Sequence, residues 1–217
     1  MEIIDIPTQQ TTAVTNGVLA GIALVAALSL CRFSQKDRLK HTLWLCIFGL
    51  LALASILGAV AHGIKMPNAI QKSIWHPLYL SLGLLVAIFM VAAVYDLWGE
   101  VAARRTLPIM AAIGFGFFCI TYFWTDSFLI FIVYEAVAMI FALGAYLWLA
   151  YKKRLVGAWL VAAGIFVTIL AAVAQASNVI SFTFIWSFDH NGVYHLLQMP
   201  GVILLVTGLR KGLHSRV

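Results

Sequence analysis

Seven apolar runs, each as long as a membrane-spanning helix and divided by short polar joints, leave this chain few ways to fold. They cover about residues 13–31, 41–61, 77–98, 107–124, 128–151, 156–180 and 192–210 of 217. A helix rises about 1.5 Å per residue, so about 20 apolar residues cross the hydrocarbon core of a bilayer. In lipid every backbone N–H and C=O must be paired internally, which leaves only helices and closed barrels. The runs are continuous rather than alternating, and that selects helices over barrel strands. The expected fold is an all-α integral membrane protein, a single seven-transmembrane-helix bundle spanning residues 1–217.

Composition agrees. Hydrophobic residues make up 63% and charged residues 10%, against about 25% charged in soluble domains. So few charges cannot cover a surface in water, which excludes a soluble enzyme. Fourteen Lys and Arg, scattered along the chain, build no nucleic-acid face. Cys31, Cys46 and Cys119 lie in or beside apolar runs and read as packing residues rather than a disulfide framework. Gly17-x-x-x-Gly21 fits a close contact between helices.

Charge sets the expected orientation. Glu2 and Asp5 precede the first run and no Lys or Arg does, so the run is not a cleavable signal and the N-terminus is expected outside. Arg32, Lys36, Arg38, Lys40, Arg104, Arg105, Lys152, Lys153, Arg154, Arg210, Lys211 and Arg216 then fall on the inner side, with the C-terminus cytoplasmic. Only Lys65 and Lys72 fall outside. Trp44, Trp98, Trp148 and Trp159 mark the inner belt, and Trp75, Trp124 and Trp186 the outer. Short joints and the lack of any Asn-x-Ser/Thr acceptor point to a bacterial inner membrane.

Ionisable residues are costly in a bilayer, so their placement carries information. On this topology His62, His76, His190 and His195 share one depth near the outer face, although they are far apart in sequence. Asp189, Tyr122, Asp126, Gln175 and Asn178 join them, with Glu135 about two turns inside the fifth span. Ser55, Gly58 and His62 fall on one stripe of the second helix, and Gln198 continues the face of His195. The inner half offers Asp96 and little else. Several imidazoles beside carboxylates suit a zinc ion, whose bound water becomes a nucleophile near neutral pH. Spacing alone gives no zinc signature, since no HExxH is present.

Gly58-Ala-Val-Ala-His62, His76-Pro77-Leu78-Tyr79 and Asp189-His190-Asn191-Gly192-Val193-Tyr194-His195-Leu196 resemble motifs of the CREST superfamily, which includes alkaline ceramidases and progestin/adiponectin receptors. The resemblance implies a zinc held by one histidine of the second helix and two of the seventh, and hydrolysis of a lipid amide or ester. His62 and His195 match those positions, with His190 as the third ligand and His76 as an added ligand or proton carrier. Asp189 or Glu135 would handle the proton and Tyr122 would steady the oxyanion. The family's seventh-helix pair is four apart; His190 and His195 are five apart, about 140° on a continuous helix. The family's serine before the second-helix histidine is Gly58 here, and its aspartate has no match.

Two functions follow as expectations. One is a zinc-dependent, membrane-embedded hydrolase acting on surrounding lipids. The other is a non-enzymatic receptor, sensor or carrier with a structural metal or small-ligand site at the outer face. No lysine lies between Gly192 and Leu209, which excludes a retinal Schiff base in the seventh span. Histidines at a single level allow one haem at most. Asp96 and Glu135 lie at opposite depths, which weakens a proton-coupled transporter.

Overall fold

The computed structural model describes residues 2–31, 37–123, 128–177 and 179–214. Arg32, Lys36, Trp124, Asp126, Asn178 and Arg216 therefore lie outside the described residues. The helices are α1 (Pro7–Leu30), α2 (Arg38–Gly63), α3 (Asn68–Trp98), α4 (Glu100–Phe123), α5 (Phe128–Tyr151), α6 (Ala158–Ala176) and α7 (His190–His214). All seven are long and apolar enough to cross a membrane, as a multi-pass integral membrane protein requires. Two-residue strands pair as antiparallel ribbons, β1 (Glu2–Ile3) with β2 (Ile64–Lys65) and β3 (Phe182–Thr183) with β4 (Ser187–Phe188).

Several boundaries differ from the apolar runs, and α1 begins at Pro7 rather than near residue 13. α3 starts at Asn68 and carries Pro77 inside it, where Ser81 Oγ donates to the Pro77 carbonyl at 2.7 Å. α6 stops at Ala176, and the chain then forms the β3–β4 ribbon rather than continuing to residue 180. The joint between α3 and α4 is Gly99 alone. Its φ of 86° lies in the left-handed region, which a residue without Cβ enters freely. Arg104 and Arg105 thus belong to α4, where Glu100 pairs with Arg104 at 2.7 Å.

The helices form a closed ring. α1 packs on α2 and α7, α2 on α3, α3 on α5, α5 on α6 and α6 on α7, while α4 packs on the outer side of α3. Ile4 N–H donates to Gly63 O, and Lys65 pairs with Glu2 and Asp5, so α1 begins where α2 ends. We call this the N-terminal end of the bundle.

Towards the other end lies the larger apolar core, with Trp44, Phe48, Phe89, Tyr146 and Ile165 fully buried. Trp44 meets Phe89 edge-on at 5.5 Å between ring centroids. Within this core Lys40 Nζ contacts Asp96 Oδ1 at 2.5 Å, and Tyr146 donates to Asp96 Oδ2 at 2.8 Å.

Glycines set the closest helix approaches, though not where the sequence pointed. A Cβ at Gly17 or Gly21 would meet nothing within 4 Å, so that pair forms no close contact within the chain. The seams are Gly83 against Gly114 between α3 and α4, and Gly157, the N-cap of α6, and Gly164 within it against Gly208 and Gly201 of α7.

Candidate functional site

A cavity of about 560 Å³ opens at the N-terminal end of the ring, bounded by α1, α2, α3, α5, α6 and α7. One wall is polar, built from Asn16, Ser55, His62, Gln175, His190, Asn191 and His195. The other is apolar and aromatic, from Leu51, Trp75, Leu78, Tyr79, Leu82, Leu129, Phe131 and Ile132. Its size falls within the range of about 300–1,000 Å³ common for small-molecule sites.

The polar wall is held by α1. Thr12, Thr15 and Asn16 stand at i, i+3 and i+4, so they share one face, and all three are buried. Thr15 Oγ1 lies 3.1 Å from His195 Nδ1 and within 3.0 Å of the Thr11 and Thr12 carbonyls. In the tautomer whose Nδ1–H donates to Thr15, the hydroxyl hydrogen goes to those carbonyls and Nε2 of His195 keeps its lone pair. Gln9 Oε1 faces His62 Nδ1 at 2.5 Å. That oxygen can only accept, so His62 Nδ1–H donates and its Nε2 is likewise an acceptor. Trp75 fixes the His62 ring edge-to-face, with centroids 5.6 Å apart.

Asp189 is occupied structurally. Its Oδ1 accepts from Gly192 N at 2.9 Å and from Thr12 Oγ1 at 3.0 Å. This is an N-cap of α7 that also ties α7 to α1. His190 is the first residue of that helix and lines the cavity. Asp189→Ala is expected to cost about 1 kcal/mol in thermal unfolding, with Asp189→Asn close to neutral because asparagine caps equally well. Equal losses from both variants would show that the carboxylate charge, not the cap, matters.

Gly58 is packed against α1. A Cβ there would come within 2.8 Å of Asn16 Oδ1, and the Asn16 amide donates to Thr12 O at 3.1 Å. The space beside Gly58 is therefore filled by an amide from α1, and Asn16 itself faces the cavity. Gln175 Nε2 donates to Asn191 Oδ1 at 3.0 Å, while buried Gln175 Oε1 has no partner.

Of the residues singled out from sequence, His62, His190 and His195 border this one cavity. His76 does not line it; its ring packs on that of Tyr122, centroids 4.5 Å apart, and Tyr122 is exposed. Glu135 lines a separate, smaller chamber. Among the described residues no group of three or more His, Cys, Asp or Glu is placed to hold a metal ion. The side chains present thus do not fit the three-ligand zinc centre that the resemblance implies. Gln9, Thr12, Thr15 and Asn16 also belong to the site, and their signal in the sequence is a polar face at helical spacing at the start of α1.

The chain matches the model of DUF6962, a family of unknown function, over residues 11–214, and it belongs to that family. No curated protein and no solved structure matches it.

Proposed function

We propose that this DUF6962 protein is a receptor or carrier that binds a small amphipathic molecule, its cavity opening on the outer face of a bacterial inner membrane. The observation that carries this reading is the pairing of an apolar, aromatic wall with a polar wall. His62 and His195 are held there through Nδ1, which leaves Nε2 of each for a ligand, and buried Gln175 Oε1 has no partner. A ligand bearing hydroxyl, amide or amine hydrogens on its head and an acyl or aromatic tail would answer both walls.

The test uses quenching of tryptophan fluorescence by a brominated single-chain N-acylethanolamine, since Trp75 lines the apolar wall. We expect saturable quenching that Trp75→Phe removes. His195→Phe and His62→Phe should each raise Kd about tenfold, the loss of one hydrogen bond of about 1.4 kcal/mol. Quenching that stays linear in probe, or is indifferent to both histidines, would refute this reading.

A second reading, hydrolysis of a lipid amide or ester at zinc, draws on the same two lone-pair nitrogens. It would require the histidines to draw closer than they stand, since among the described residues no three such ligands are gathered. Metal content of the purified protein separates the two. One zinc per chain, lost in both His62→Ala and His195→Ala, favours the hydrolase; metal-free protein that binds the probe favours the receptor or carrier.

A further inference from the structure

Below the ligand cavity lies a second chamber of about 40 Å³, and the two share Leu51, Leu82, Phe131 and Tyr194 as walls. Three polar side chains reach it from different helices. Glu135 lies seven residues into α5, Gln198 eight into α7, and Thr168 eight before the end of α6. Each is thus about 10–12 Å along its helix from the N-terminal end of the bundle. Glu135, Gln198 and Thr168 are 4%, 6% and 3% exposed.

Two of the acceptors go unanswered. Glu135 Oε2 and Gln198 Oε1 are both buried acceptors without a partner. Thr168 gives its hydroxyl hydrogen to Gly164 O at 3.1 Å and has only lone pairs left to offer. Apolar side chains such as Phe48, Phe89 and Met139 complete the walls. Of the lining residues only Tyr194 is titratable besides Glu135, and none is cationic. A water molecule fits, since one needs about 10–15 Å³ of such space. Water would satisfy the acceptors but leave a carboxylate charge uncompensated in an apolar interior, which is far more costly.

We infer that this chamber is a binding site for one small cation, held by Glu135 and Gln198 with Thr168 Oγ1 as a further oxygen. The shared chemistry is a single positive charge brought to hard oxygen acceptors, and it can arrive as Na⁺ or as a proton. The site is independent of the amphiphile reading, because Glu135, Gln198 and Thr168 lie outside the larger cavity.

The experiment compares detergent-purified wild type, Glu135→Gln and Gln198→Leu in NaCl and in choline chloride at equal ionic strength, with infrared spectra of the same samples. A Na⁺ site raises the wild-type Tm by about 2–4 °C at Na⁺ about five times its dissociation constant. That shift disappears in Glu135→Gln and shrinks in Gln198→Leu. A proton site gives a protonated-carboxyl stretch that is indifferent to Na⁺ and absent from Glu135→Gln. Wild type showing neither a Na⁺-dependent Tm nor a carboxyl stretch overturns the inference, whatever the variants do.

Discussion

Asp96→Ala is expected to lower stability by about 3–5 kcal/mol, the cost of breaking a buried pair by removing one partner. Lys40 and Asp96 side chains are 5% and 0% exposed, and Tyr146 donates to the second carboxylate oxygen. Truncation strands a buried ammonium group and a buried phenol. Total stabilities are about 5–15 kcal/mol, so much of the protein should fail to survive purification. Lys40→Met with Asp96→Leu should be milder than Asp96→Ala alone, because it removes both charges and fills the space. Unfolding midpoints in detergent decide the matter. A single variant within about 1 kcal/mol of wild type would mean that the pair is hydrated or dispensable.

Gly157→Ala should be nearly as damaging, for a different reason. The added Cβ would sit 2.0 Å from Gly208 O and 2.8 Å from its carbonyl carbon, both backbone atoms that cannot swing aside. Gly157 also has φ of 83°, where a left-handed conformation costs other residues about 1–2 kcal/mol. Overpacking adds about 1–3 kcal/mol. Gly17→Ala and Gly21→Ala make the control. Nothing lies within 4 Å of either added carbon, and replacing a mid-helix glycine gains about 0.5–1 kcal/mol. Opposite signs from the same chemical change would locate the helix seam at α6–α7. Equal tolerance at all three sites would disprove it.

These two features show where sequence reading reaches its limit. Hydropathy alone delivers seven spans, because lipid solvation acts on every residue of a run and the signal accumulates. It misplaces the turn at Gly99, where one residue reverses the chain and the polar residues Glu100, Arg104 and Arg105 of the expected joint lie inside α4. Gly17 and Gly21 carry the familiar spacing yet face outward, while Gly157 and Gly208, far apart in sequence, make the real contact. Depth matching brought His62, His190 and His195 to one level, and the cavity unites them. The same reasoning brings Lys40 and Asp96 to one side, but many cations share that side and depth alone does not single out Lys40. His76 shares the depth and not the cavity, since depth says nothing about position around a ring. Partners such as Thr15 and Asn16 escaped notice because threonine and asparagine at a helix start are ordinary.

The bonds from Thr12 to Asp189 and from Thr15 to His195 join residues 177 and 180 positions apart. During synthesis the first helix therefore waits in the bilayer, its polar face unanswered, until the seventh leaves the ribosome. Such long-range closure is slow, and the waiting intermediate is exposed to misassembly. A chain stalled before α7 would hold six inserted helices and a cavity missing one wall. The cavity would then form all at once, as the last segment locks the circle shut, rather than growing with chain length.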